Sequence, residues 1–167
     1  MILPMVQPAF VGTKCGPTMG AESESGFSSE DLGTRWMRRY AADMTREPLQ
    51  VGDQRWAVDA VLRRWGVDGD SVYSVVLVMS ELLSNAVLYG RDDVVGLHVA
   101  IDGVLSTVLV EVNDHTPGPR AAPRLPGDDQ ESGRGLILVG ALAETWGVSS
   151  DGAVTWCKVR VAAGGVR

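Results

Sequence analysis

Cysteine is nearly absent. The 167 residues include two, Cys15 and Cys157, too far apart to suggest a disulfide framework or a paired metal motif. Positive charge is also short: 15 Lys and Arg stand against 21 Asp and Glu, for a net charge of -6 and a pI near 4.8. No Lys/Arg run or basic helix offsets this balance, so nucleic acid is not an expected partner. The opening Met1–Gly12 is apolar but has prolines and no basic leader, and no run approaches the roughly 20 apolar residues of a membrane span. These absences leave the expectation of a soluble cytoplasmic protein without a membrane partner. What remains is 45% hydrophobic, enough for one core.

Residues 1–32 are rich in Gly, Ser and Glu without apolar periodicity and are expected to form a disordered tail, with a single domain over 33–167. "TRWMRRYAADM" fits an edge strand or a short helix equally. From Asp53 to Trp65, Val58, Val61, Leu62 and Trp65 follow the spacing of an amphipathic helix. A second helix, capped by Asp68 or Asp70, runs to Tyr89, with Gly90 suited to a left-handed C-terminal position.

Beyond Gly90 the period becomes alternating. Leu97, Val99 and Ile101 share one strand face, Val108, Val110 and Val112 another, and Asp102-Gly103 predicts the hairpin turn. A Pro/Gly-rich linker, 116–132, is long enough to be functional. "GRGLILVGALAETWG" reads as a helix and "AVTWCKVRV" as a closing strand. This order predicts an α/β two-layer sandwich, helices on one face of a mostly antiparallel mixed sheet.

Three polar features interrupt this apolar plan. In "SELLSNAVLYG", Glu81 and Asn85 lie one turn apart on the second helix, opposite the stripe Val72, Val75, Val76, Met79, Leu82, Leu83 and Ala86. Leu77, Val78 and Leu88 share their side, so the helix is expected to be covered on both sides, and a carboxylate there needs a partner. In "VNDHTPGP", alternation sends Asp114 to the side of Val108, Val110 and Val112; ligand recognition and an Asx-turn acid are both open readings. In "ESGRGL", Gly133 and Gly135 open a helix whose free N–H groups make an anion site, a weak signal alone. His98 and His115 lack ligand- or triad-spaced companions, and the five tryptophans read as core and interface anchors.

Taken in that order, "SELLSNAVLYG … VND … ESGRGL … LAETWG" resembles the GHKL family of histidine-kinase-like ATPases, the Bergerat fold. Within it, the chain is similar to stand-alone anti-sigma-factor serine kinases over about residues 50–161. The resemblance implies ATP and Mg²⁺ as ligands, with the amide oxygen of Asn85 holding Mg²⁺ against the phosphates and Glu81 as general base. It assigns Asp114 to the adenine amino group and Gly118 to a close loop passage by the base. Gly133, Arg134, Gly135 and Leu136 fall around the phosphates, and 116–132 becomes a lid. The family's D-x-G-x-G loop has Thr116 in place of its first glycine. Thr155 shares the side of Cys157 and Val159; an adenine contact through water is open to it, and a core role is the preferred reading.

The implied function is a serine/threonine kinase that phosphorylates an anti-sigma-factor antagonist and sequesters a sigma factor. A nucleotide-dependent sequestering module without turnover is the alternative, and self-pairing into a homodimer is open. The catalytic half of a histidine kinase is disfavoured, since neither histidine lies on a helical pair able to form a dimerisation stem.

Overall fold

A computed structural model describes residues 38–102, 104, 106–117 and 134–163; the expected tail, residues 1–32, lies outside them. Five strands and three helices follow in the order β1 (Arg38–Thr45), α1 (Pro48–Arg64), α2 (Gly69–Tyr89), β2 (Val94–Asp102), β3 (Thr107–Asn113), α3 (Arg134–Leu142), β4 (Thr145–Val148) and β5 (Val154–Arg160). From Arg38 on, the ambiguous segment is thus a strand, with β2 as its partner; its first four residues lie outside the described ones.

α1 starts five residues ahead of the expected Asp53, because Pro48 sits at the first turn, where its missing N–H costs nothing. Arg63 and Arg64 in the last turn suit the negative end of the helix dipole. Gly66, at φ 83°, then turns the chain. α2 begins at Asp68, whose Oδ1 accepts from the N–H groups of Asp70 and Ser71 at 3.1 and 3.2 Å, satisfying two orphan donors.

The sheet order is β1-β2-β3-β5-β4, and every described pairing is antiparallel. Register aligns the predicted faces: Leu97 opposes Val112 and Val99 opposes Val110, while Val112 and Val110 meet Thr155 and Cys157 on β5. These rows form one side of the core. The other side is the α2 stripe, with Val72, Val75, Met79 and Leu83 fully buried. Truncating such a leucine to alanine costs about 2–5 kcal/mol in transfer and cavity terms.

Four expectations need correction. α2, with 21 residues, is long and apolar enough by length and composition to cross a membrane, although no run was expected to qualify; in the fold its apolar stripe is spent in the core. Its far side is only partly covered, since Val78 is buried but Leu88 is 67% exposed. Gly90 is not left-handed: its φ is -63° and its ψ 159°. The helix read through Gly147 stops at Leu142, where Glu144 N–H donates to the Lys158 carbonyl and Thr145–Val148 adds to the sheet beside β5. Pairing with β5 outweighs the local helical pattern there.

Candidate functional site

Glu81 lies half-buried past the midpoint of α2, just after Ser80, which is buried and accepts a 2.7 Å hydrogen bond from Arg55 Nε of α1. The Ser80 hydroxyl donates in turn to the Val76 carbonyl at 2.6 Å, so this turn is anchored on the side away from the carboxylate. The Glu81 carboxylate meets the first turn of α3. A side-chain carbon on Gly135 would overlap Glu81 Oε2 and stand 3.3 Å from its Cδ. Only glycine permits this approach. Asn85 follows one turn later, also half-buried, and within the described residues no side-chain hydrogen bond engages either Glu81 or Asn85.

Asp114 closes β3 and is 3% exposed. Since Asn113 pairs with Val154 and Val112 with Thr155, alternation puts Asp114, Val112 and Thr155 on the helix-facing side of the sheet. The C-terminus of α2 comes down on it: a side-chain carbon on Gly90 would overlap the Ala86 carbonyl oxygen and stand 3.2 Å from Asp114 Cβ. That close approach, rather than a left-handed φ, is what requires glycine. Asp114 Oδ1 also accepts from Thr116 N–H at 3.1 Å, so the Asx turn is real and coexists with burial. His115 bridges the turn at φ 52°, its N–H donating to Asn113 Oδ1 at 2.8 Å.

One helix therefore touches both polar clusters, Gly135 through Glu81 and Asp114 through Gly90. Nine residues of rise separate these contacts, about 13 Å, the scale of a nucleoside triphosphate. Leu136 is partly buried against the core, and Arg134 opens α3. Gly118, Gly133 and most of the linker lie outside the described residues. Thr155, half-buried, holds a place in the sheet row beside Asp114 that suits core and site alike.

The discounted histidines have structural places: His98 Nδ1 lies 2.6 Å from Glu111 Oε2 on the facing strand, and His115 makes the turn just described. Sequence reasoning missed Arg46, whose guanidinium donates to the Gly90 carbonyl across 44 positions of chain. No local pattern announces such a bond. Cys157 is enclosed in the core, where burial pushes its thiol up to about 12, so it has no nucleophilic part at neutral pH.

The donor set suits a hard cation only in company. The Asn85 amide offers one oxygen, and among the described residues no three His, Cys, Asp or Glu side chains cluster into a metal site. A Mg²⁺ here must take its remaining ligands from phosphates and water, its usual habit.

A five-stranded antiparallel sheet covered on one face by three helices is the two-layer sandwich of histidine-kinase-like ATPase domains. The family model of the histidine kinase-like ATPase domain matches residues 44–160, and the chain belongs to that family. No curated protein matches it. Among solved structures it is similar to the RsbU and RsbW domains of Rv1364c from Mycobacterium tuberculosis, at a TM-score of 0.51 and 19% identity. That match covers 78% of this chain and 35% of the other, so this chain spans about a third of that protein, and the likeness speaks to the fold.

Proposed function

We propose that residues 33–167 act as a single ATP-binding domain that transfers the γ-phosphate of ATP to a serine or threonine hydroxyl of an anti-sigma-factor antagonist in the cytoplasm. The observation that carries this reading is the Glu81 carboxylate lying against Gly135 at the start of α3, one turn ahead of Asn85. Asp114 accepts the hydrogen bond of the adenine amino group. Gly133, Arg134, Gly135 and Leu136 surround the phosphates, with Gly118 and Thr155 near the base. The α3 dipole is worth only about 0.3–1 kcal/mol at an exposed site; the Asn85 amide oxygen would hold Mg²⁺, whose charge would offset that of the phosphates. Glu81 takes the proton of the acceptor hydroxyl as its oxygen bonds to the γ-phosphorus and the bond to the β-phosphate oxygen breaks, releasing ADP. Positioning and charge carry most of such a reaction.

A sequestering module with negligible turnover is the second reading. It is favoured by the exposed Leu49, Trp56, Tyr73 and Leu88 on α1 and α2, apolar surface of the kind a protein partner covers. In either case the partners are an antagonist, a sigma factor, or both.

ATP binding with and without Mg²⁺ tests the site. Asn85→Ala should abolish the Mg²⁺ dependence and Asp114→Asn should weaken binding; parental affinity in both variants would defeat the assignment. Transfer of labelled phosphate to a candidate antagonist separates the two functions. Glu81→Ala should remove transfer while binding persists, and Gly135→Ala, which displaces the Glu81 carboxylate, should lower it by roughly 10²-fold.

A further inference from the structure

Where the family's loop has glycine, this chain has Thr116, and every polar group of that residue that can reach backward is engaged. Its N–H donates to Asp114 Oδ1 at 3.1 Å. Its hydroxyl donates to the Asp114 carbonyl at 3.0 Å and accepts from Arg91 N–H at 2.9 Å. A hydroxyl has one proton to give and two lone pairs; here a single oxygen ties the residue following the α2 terminus to the residue ending the strand. The same junction is closed from the other side by Gly90, packed within 3.2 Å of Asp114 Cβ when a side-chain carbon is built on it.

We propose that Thr116 is a specificity-positioning residue: its hydroxyl clasps the end of α2 to the end of β3 and so fixes the direction of the Asp114 carboxylate. The inference rests on the reading of Asp114 as the adenine acceptor. The backbone N–H that holds Oδ1 belongs to Thr116, so the carboxylate faces where the turn faces. The turn is held in place by the bond to Arg91, 25 residues away in sequence. A β-branched side chain is restricted at χ1, which makes threonine a stiffer clasp than serine, while glycine or valine offers no clasp. Hydrogen-bond recognition tolerates displacements of only about 0.5 Å, so loosening the turn should blur the base reading before it unfolds anything. Arg91 is exposed, and water can satisfy its N–H when the clasp is gone.

The readout is base discrimination, the ratio of ITP to ATP dissociation constants, since inosine lacks the exocyclic amino group that Asp114 would accept from. In the full chain with Mg²⁺, Thr116→Val should reduce that ratio by about fivefold, the worth of one hydrogen bond. Thr116→Ser should hold it within about twofold. Thr116→Gly, which fits any turn, should match Thr116→Val and serves if the valine variant fails to fold by circular dichroism. Asp114→Asn is the reference. If it collapses the ratio while the valine and glycine variants leave it at the parental value, the clasp is refuted and the adenine reading stands. An equal loss in the serine variant would also refute the clasp, because the hydroxyl would not be what matters. If Asp114→Asn leaves the ratio unchanged, the adenine reading fails and takes this inference with it.

Discussion

The two ends of α2 are closed by different means. At its start, Asp68 caps the N–H groups of the second and third residues after it, and a single outside residue joins it: Ala162, whose carbonyl accepts from Asp68 N–H and whose N–H donates to the Ser71 hydroxyl. At its finish the Gly90 carbonyl is held by Arg46 from beyond β1, and the Arg91 N–H by Thr116 from beyond β3. The first end stops the helix from fraying and ties it to the chain after β5. The second also has to present Asp114, and that requires parts brought from three places in the chain. A change at the first end is felt at Ala162, past the end of β5 that pairs with Thr107; a change at the second is felt at Asp114, at the other end of β3.

Gly90→Ala is the strongest way to break this contrast. The new methyl group meets backbone at Ala86 and the side chain of Asp114, so stability should fall by about 1–3 kcal/mol, the usual cost of forcing an extra carbon into a packed site. Nucleotide affinity should fall with it; chemical denaturation and ATP titration on one sample would show whether the two losses travel together. Arg46→Met, which removes the guanidinium but keeps much of the stem, should cost about 1 kcal/mol for the lost carbonyl bond and again weaken nucleotide binding. Asp68→Ala should lower the thermal midpoint by less than Gly90→Ala and leave ATP affinity at the parental value. A nucleotide defect in that variant would erase the distinction between the ends.

The smallest expected effect is one of pH. Bonds from Ser71 and the neighbouring backbone hold the Asp68 carboxyl below the usual carboxylate range, and the Ser149 hydroxyl and Ala153 N–H do the same for Asp151. A group depressed in the folded state stabilises above its unfolded pKa, near 4, and loses that contribution as pH falls through the lower folded value. Thermal midpoints between pH 2 and about 5 should therefore drop less steeply in Asp68→Asn than in the parent. Above that window the two pH profiles should run parallel, with the parent the more stable.

The sheet and the α2 stripe were legible because their periods are unbroken: alternation from Leu97 to Ile101 and from Val108 to Val112 fixes both faces, and the register obeys it. Glu81 and Asn85 stood out for the same reason, as polar groups on an otherwise apolar helix. Three things were not legible. Residues 145–148 look helical in isolation, and only the facing β5, met later in the chain, makes them a strand. Gly90 was read by the local rule for helix ends, whereas its role depends on Asp114, 24 positions on. The Asx turn at Asp114 was foreseeable from neighbours two residues apart, yet the bond from Thr116 to Arg91 and that from Arg46 to Gly90 connect segments whose proximity only the folded chain supplies.

Cys157 offers a last consequence. Fully enclosed on β5, with burial pushing its thiol up to about 12, it can meet an alkylating dye only when that strand leaves its neighbours. Once Cys15 is changed to serine, labelling kinetics at Cys157 become a clock for opening of the central sheet. The clock needs no engineered cysteine, and any ligand that binds only the closed form should slow it.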